Sequence, residues 1–320
     1  MKYMVTGAAG FIGSHLAREL LSEGKEVVAV DCFRDYYPPE LKRDNIADLL
    51  KNPSFKLFEE DLSGKNMSWL DTAFNPPDEI LVYHLAAQAG VRKSWGEEFS
   101  RYTTDNIMST QNLLEWSVKR GNVKNFIYAS SSSVYGRVQD LPMVEDTTLP
   151  MPDSPYGVTK LAAENLVRLY TRNYGLPSLS LRFFTVYGPG QRPDMAFSIF
   201  LEAISKGNPI RIFGDGSQTR DFTYVGDVVR GLRLSEECTD GRVMNLGGGN
   251  TLPLLEAIGI LEEAAGMKAE LSFLPVQPGD VRDTFASTEL LYKTTGWKPT
   301  TPLIEGLRRQ LRGRGKDDLF

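Results

Sequence analysis

Tyr156 and Lys160 stand four residues apart in the segment SPYGVTK. On a helix that spacing puts both side chains on one face. An ammonium beside a phenol stabilises the phenolate and lowers its pKa. A phenol tuned in this way exchanges a proton with a substrate hydroxyl while a hydride moves to or from a nicotinamide ring. The run Ser130-Ser131-Ser132-Ser133 follows an apolar stretch ending at Ala129 and offers hydroxyls to the same cleft. Taken alone, Tyr156 and Lys160 are equally well read as a surface pair, since YxxxK is short enough to recur by chance. What decides between the two is a third constellation upstream.

That constellation is Gly7-Ala8-Ala9-Gly10-Phe11-Ile12-Gly13, which follows a short apolar run and opens a helix. Gly7 permits a tight turn, Gly10 lets backbone approach a pyrophosphate, and Gly13 lets helix and strand pack closely. Phe11 and Ile12 begin the helix, whose free N–H groups and positive dipole end suit phosphate. The spacing is GxxGxxG rather than GxGxxG. Asp31, at the end of the next strand, is placed to bind a ribose diol and to repel an additional phosphate, which favours NAD over NADP. Arg34 nearby is the residue that opposes this reading. Asp61 and Leu62, after the third strand, are placed to hold the adenine.

The elements that must carry these residues alternate. Tyr3-Met4-Val5, Glu26–Val30, Ile80–His84, Asn125–Ala129 and Ser178–Phe183 read as strands. Helices are expected from the glycine turn through about Glu23, over Arg101–Lys119, and over Tyr156–Tyr174, the last closed by Gly175. Such alternation predicts an α/β fold, a Rossmann-type doubly wound parallel sheet with helices on both faces. The second half is richer in Gly and Pro. Helices are expected near 195–206, 226–237, 253–265 and 302–312, with Val243–Leu246 returning as a strand to the main sheet. The domain expectation is therefore 1–184 with 223–250 as the dinucleotide-binding part, and 185–222 with 251–320 as a smaller α/β substrate-binding lobe over the strand ends.

The 320 residues, 41% of them hydrophobic, suffice for one large core or two smaller ones. The net charge of -5 and the lack of a long basic block, apart from the short tail Arg308–Lys316, argue against nucleic acid as a partner. Cys32 and Cys238 lie far apart, and with His15 and His84 they make no metal-ligand spacing, so no metal is expected. The opening segment reads as strand, turn and helix rather than a secretory signal. No apolar run reaches about 18 residues, so no membrane span is expected. A cytoplasmic protein follows. Trp69, Trp95, Trp116 and Trp297 are read as packing residues.

TGAAGFIGSHL, HLAAQAGVR, ASSSSVYG, SPYGVTK, LRFFTVYGP and QTRDFTYVGDV, taken together, resemble the extended short-chain dehydrogenases/reductases of the nucleotide-sugar epimerase and dehydratase branch over nearly the whole chain. The resemblance implies that Tyr156 and Lys160 are the catalytic pair and that Ser131 is the catalytic hydroxyl. It implies cofactor contacts along the glycine turn and at Ala86, Ala87, Asn106, Tyr156 and Lys160, with Asn106 also supporting the active site. It implies that Arg220 binds the substrate diphosphate, that Arg282 in GDVRDT is a second phosphate ligand, and that Arg92 reaches a phosphate of either ligand. Gln277 and Asp280 fall near the presumed diphosphate site without a role.

Dehydratases of this branch carry Asp-Glu after the catalytic hydroxyl, and the uronate decarboxylases resemble them in having Glu at the second position. Here Ser132 and Ser133 stand in both places. Elimination then lacks its proton carriers, which leaves oxidation followed by re-reduction. The stretch RFFTVYGP followed by Arg192-Pro193-Asp194-Met195-Ala196 looks most like the uronate 4-epimerases; galactose epimerases and uronate decarboxylases resemble it but have Asn where Thr185 stands. Ser132, Ser133 and Thr185 are suited to donate to a uronate carboxylate. Arg192 is suited to a charge-assisted contact with the uronate or the nucleotide. A 4-keto uronate is a β-keto acid that loses carbon dioxide when its carboxylate stands perpendicular to the ketone plane, so donors that pin the carboxylate would suppress that loss. The expected enzyme is an isomerase that inverts carbon-4 of a UDP-sugar with bound NAD. Alternatives are a UDP-glucose or UDP-N-acetylglucosamine 4-epimerase, a UDP-glucuronate decarboxylase, and a non-catalytic NAD-binding scaffold. The resemblance further implies a homodimer through helices 101–119 and 157–174.

Overall fold

Alternating β-branched runs and amphipathic segments in the first half of the chain fold as a parallel αβ succession. In the computed structural model, which describes every residue except Lys65, 75–77, Pro278, Asp280 and 314–320, it begins with β1 (Lys2–Thr6), α1 (Phe11–Ser22) and β2 (Val27–Val30). Next come α2 (Pro39–Ile46), β3 (Phe55–Phe58), α3 (Leu70–Ala73) and β4 (Ile80–His84). A continuous helical run then comprises α4 (Phe99–Tyr102), a π-helical stretch Thr103–Met108, and α5 (Ser109–Arg120). β5 (Val123–Ser131), α6 (Pro155–Tyr174) and β6 (Ser178–Phe183) complete the series. The expected uniform helix over 101–119 is thus interrupted. A π turn holds an additional residue, a feature common at functional sites, and here it contains Asn106.

The remaining elements are β7 (Thr185–Tyr187), α7 (Ala196–Ser205), β8 (Ile210–Phe213), β9 (Thr219–Tyr224), α8 (Val225–Leu234) and β10 (Asp240–Leu246). After them come β11 (Asn250–Pro253), α9 (Leu254–Ala265), β12 (Leu271–Leu274), α10 (Glu289–Thr295) and α11 (Leu303–Arg312). The seven-stranded sheet has the order β10-β6-β5-β4-β1-β2-β3. The chain therefore leaves β1 toward β2 and β3 on one side and toward β4, β5 and β6 on the other. The reversal at β1 is the switch point at which such sheets bind ligands beyond their strand ends. β1 is parallel to β2 and β4, with Thr6 opposite Val30 on one side and His84 on the other.

The chain divides into two compact units. The first takes Met1–Gly136, Pro150–Arg182 and Leu232–Met244; the second takes Arg137–Leu149, Phe183–Gly231 and the chain from Asn245 on. These bounds allot less of 223–250 to the first unit than the sequence suggests, because α8 and β10 each run across a boundary. The core of the first unit joins Met4, Val28, Val82 and Phe126 of the sheet to Leu113, Leu114, Ala163 and Val167 of the flanking helices. Each of these side chains larger than alanine, fully buried, stabilises the fold by about 1.5–3 kcal/mol.

The second unit has its own core around Phe197, Phe222, Ile258 and Leu307. β9 pairs antiparallel with β11 and parallel with β7, and β8 pairs parallel with β12. Gly306 lets α11 lie against Tyr187, whose hydroxyl would be 2.3 Å from an added Cβ. Trp297 and Trp116 are buried and Trp69 packs against the first core, as packing residues should. Trp95 departs from that reading, being 49% exposed. Gln277 donates to the Pro275 carbonyl at 3.3 Å; Asp280 and most of the basic tail lie outside the described residues. Among those residues no helix is long and apolar enough to cross a membrane.

Candidate active site

The glycine turn is held from below by β2. Gly7 and Ala8 donate their amides to the Val30 carbonyl at 2.7 and 3.3 Å. Gly7 has a φ of 67°, and a Cβ there would sit 2.9 Å from the Ala86 nitrogen. At Gly13 a Cβ would fall 2.2 Å from the Gly7 carbonyl oxygen, so only glycine lets α1 start this close to the turn. Gly10 is the N-cap and supplies no side-chain cap. The amide of Ser14 is bonded to the Gly10 carbonyl, whereas those of Phe11, Ile12 and Gly13 have no acceptor within the helix. Three amides, a positive dipole end and no acidic residue in the first turn make a cradle for a diphosphate.

Asp31 does more than the sequence indicated. It is 7% exposed, and its carboxylate accepts the Ala9 amide at 3.1 Å and the Phe33 amide at 2.9 Å. Lys42 stands 3.7 Å from it. The carboxylate therefore holds the glycine turn and also fixes Phe33, whose φ of 49° is unusual for an aromatic residue. Arg34 is committed elsewhere, at 2.8 Å to Asp61 and 2.7 Å to Asp105. That arrangement answers the objection to NAD, because the guanidinium already faces two carboxylates. Burial pushes the Asp61 carboxyl up, but bonds from Ser63 and the Arg34 charge outweigh it and hold it below the usual range. The Asp61 carboxylate accepts from the Arg34 guanidinium at 2.8 Å and from the Ser63 amide at 2.8 Å. The Leu62 side chain is buried in the core, with its carbonyl accepting from Asn112.

α6 carries Tyr156 and Lys160. Ser154 caps the helix by accepting the Gly157 amide at 3.1 Å, with Pro155 in the first turn. A Cβ on Gly157 would lie 2.4 Å from the Ser133 carbonyl, so the glycine inside YGVTK lets the helix start against the serine turn. β5 ends at Ser131, whose hydroxyl accepts the Ser133 amide at 3.1 Å and opens the short helical turn Ser132–Val134. The Tyr156 ring is half-buried and meets Tyr102 edge-on, 6.2 Å between centroids. Lys160 is buried, its ammonium 4.5 Å from the centre of the Tyr128 ring. Burial lowers its pKa to about 7, against an upward pull from Glu164 one turn on.

Asn106 is 1% exposed and all its bonds are internal. Its side-chain oxygen accepts the Gln88 amide at 2.7 Å, and its side-chain nitrogen donates to the Gln88 carbonyl at 3.0 Å and the Thr159 hydroxyl at 2.9 Å. It pins the segment after β4, with Ala86 and Ala87, to α6, so its effect on a cofactor runs through those neighbours. Arg92 lies in a short helical turn, Arg92–Ser94, that follows the same segment. Sequence reasoning gave no role to His84, Thr6, Thr110, Glu164 or Arg182; each is bonded to partners tens of residues away, a signal no local spacing carries.

In the second unit, Thr185 on β7 is opposite Phe222 of β9. Arg220 donates to the carbonyls of Thr219 and Arg282, both at 2.7 Å, so the two expected phosphate ligands are neighbours. The Arg282 side chain is largely exposed. Arg192 grips Asp194 in a two-pronged pair at 2.9 and 3.0 Å, which a new anionic partner would have to share.

A switch-point glycine cradle, a buried carboxylate just after β2 and a Tyr-x3-Lys pair beside a serine turn define a dinucleotide-dependent oxidoreductase-type site of the short-chain class. The chain belongs to the NAD dependent epimerase/dehydratase family, which matches residues 3–247. It is 42% identical over 308 residues to a UDP-glucuronate 4-epimerase of Thermodesulfobacterium geofontis, covering 96% of this chain and 94% of that one. It is 40% identical over 314 residues to an uncharacterized UDP-glucose epimerase, YtcB, of Bacillus subtilis, with 97% of each chain covered. Among solved structures, the UDP-glucuronic acid 4-epimerase of Bacillus cereus with UDP-glucuronic acid and NAD is similar at a TM-score of 0.91, 42% identity and 98% coverage of both chains.

Proposed function

We propose that this chain is an NAD-dependent UDP-sugar 4-epimerase that interconverts UDP-glucuronate and UDP-galacturonate. The observation that carries this reading is the Tyr156–Lys160 helix seated on a serine turn that has hydroxyls, and no carboxyl, at 132 and 133. The similarity to UDP-glucuronate 4-epimerases over nearly the full length supports the substrate. The test is to incubate purified protein with UDP-glucuronate, UDP-glucose and UDP-N-acetylglucosamine and resolve the products. UDP-galacturonate is expected. Turnover confined to UDP-glucose supports the second reading, which the name of the Bacillus subtilis relative favours.

The cradle fits the diphosphate of NAD, since the first-turn amides of α1 have no acceptor within the helix and no acidic residue stands in that turn. Gly7, Gly10, Phe11, Ile12 and Gly13 would hold the diphosphate, Asp31 the adenosine ribose, Asp61 and Leu62 the adenine, and Ala86 and Ala87 the wall beside it. When bound, NAD supplies the hydride acceptor and donor, so no net redox change occurs. Tyr156 takes the proton of the 4-hydroxyl and later returns one. Ser131 orients that hydroxyl, and Lys160 stabilises the phenolate. Asn106 acts as a positioning residue through Gln88 and Thr159. Arg92, Arg220 and Arg282 are assigned to diphosphate, and Arg192 to the uronate or nucleotide.

Ser132, Ser133 and Thr185 are assigned to the uronate carboxylate, which they would pin away from the geometry for carbon dioxide loss. Thr185→Ala is expected to release some UDP-pentose alongside the epimer and to raise KM for UDP-glucuronate by about 10- to 100-fold, the loss of one hydrogen bond to a charged group. Chromatography of the product that finds neither change removes Thr185 from this role.

A homodimer through 101–119 and 157–174 is supported by Met108, Val158 and Leu169, which stand about half exposed on those helices. Light scattering should give twice the chain mass; a monomer mass overturns it. A cytoplasmic location is in keeping with free thiols at Cys32 and Cys238, and cell fractionation checks it.

A further inference from the structure

His84 ends β4 with no solvent exposure, flanked by the Phe126 and Tyr128 rings. Its Nδ1 is 2.8 Å from the Thr6 hydroxyl and its Nε2 is 2.9 Å from the Thr110 hydroxyl. The partners of those two threonines settle where the ring proton sits. The Thr110 hydroxyl donates to the Asn106 backbone carbonyl at 2.6 Å, so toward His84 it must accept. The Thr6 hydroxyl accepts the Ala86 amide at 3.1 Å, leaving its proton for the ring. Nε2 therefore carries the hydrogen and Nδ1 accepts.

At Asn106 the link passes through the residue itself, from its backbone carbonyl to its side chain. Its side-chain amide donates to Thr159, and the Thr159 hydroxyl donates to the Tyr156 carbonyl at 2.8 Å. We propose that His84 is a positioning residue: a neutral imidazole protonated on Nε2, the middle link of a one-directional hydrogen-bond chain from the Ala86 amide to the Asn106 backbone carbonyl, which the Asn106 side chain extends through Thr159 to Tyr156. The chain ties the wall of the glycine cradle to the first turn of α6 through the π-helical stretch that presents Asn106. Bonds aligned in one direction polarise one another, and inside a dry core each link is costly to leave unmade. Burial and the nearby Lys160 charge lower the His84 pKa to about 3, which keeps the ring in the single state that the chain can use. A second proton, on Nδ1, would oppose the Thr6 proton and reverse that half of the chain.

The kinetic side of this inference rests on the epimerase reading; the tautomer does not. Histidine nitrogen-15 NMR of the whole protein decides the latter, with His15→Gln assigning the two rings. His84 is expected to show a protonated Nε2 and a bare Nδ1 throughout the range from about pH 8 to about pH 5, where an ordinary histidine titrates near 6.5. A proton on Nδ1, or ordinary titration, overturns the chain. For the positioning role, Thr110→Val and His84→Phe are expected to lower kcat on UDP-glucuronate about 10- to 100-fold, with KM and retained NAD within about twofold. His84→Gln, which keeps one donor and one acceptor, should recover part of the rate. Unchanged kcat, or a loss that follows KM or NAD release, overturns the positioning role. No turnover of any UDP-sugar by the unmodified protein overturns the epimerase reading and the kinetic role with it, while the nitrogen shifts still decide the tautomer.

Discussion

Tyr156→Phe is expected to lower kcat for UDP-sugar epimerisation by about 10²- to 10⁴-fold, the range for loss of a positioned acid–base group. The ring stays, so its edge contact with Tyr102 and the capped start of α6 are kept, and UDP-sugar and NAD should bind almost as before. The size of the effect follows from Lys160. Buried against Tyr128 with a pKa lowered to about 7, it lies where a developing phenolate beside it would pull its proton on. Lys160→Met should therefore cost activity of the same order. Steady-state rates above about a tenth of wild type in Tyr156→Phe would exclude the phenol as proton carrier. The same lysine predicts a slope in stability. Its folded-state pKa lies below its ordinary 10.5, so between these values the unfolded chain binds more protons at this site. The stabilisation is fully present above 10.5 and is lost as pH falls through about 7. Denaturant titrations over that window should show a rising stability with pH that Lys160→Met flattens.

The elements that carry the site were legible where chemistry and periodicity coincide. Gly7, Gly10 and Gly13 sit at positions where backbone crowding admits little else, and a strand before and a helix after them follow from local pattern alone. The same is true of β4, β6 and α6, whose apolar periods are long and whose C-terminal Gly175 is left-handed as expected. Less was legible wherever a residue acts across the chain. Asp31 reads as a ribose ligand, yet its bonds to Ala9 and Phe33 show it also building the turn, a role visible only once β1 and β2 are side by side. The π turn around Asn106 has no composition of its own. It is recognised by the bonds from Asn106 to Gln88 and Thr159, 18 and 53 residues away. α2, β8, β11 and β12 also escaped the sequence reading, because each is short and, in β11 and β12, mostly half-exposed, so its period is too brief to separate from turn.

Arg182→Met is expected to destabilise the protein by about 3–5 kcal/mol, the usual consequence of stranding one member of a buried ion pair. Arg182 and Glu164 are each almost fully buried and meet in a two-pronged pair, Nε to Oε2 at 3.0 Å and Nη2 to Oε1 at 2.7 Å. Ser130 adds a hydroxyl to the same carboxylate at 2.5 Å, and the guanidinium lies 4.5 Å from the centre of the Tyr135 ring. Burial works against the Arg182 charge, but the Glu164 carboxylate outweighs it and raises the guanidinium pKa. With methionine at 182, the Ser130 hydroxyl is left as the only one of these partners for the Glu164 charge. A loss of that size is a large part of the about 5–15 kcal/mol that holds a folded domain together. Urea unfolding of Arg182→Met, Glu164→Leu and the double variant separates pairing from packing. The double variant should be more stable than either single one, because apolar residues of similar volume replace a paired charge at little net cost. If Arg182→Met unfolds at the same urea concentration as wild type, Glu164 is not a stranded charge, and the field that Lys160 feels from it is weaker than this geometry requires.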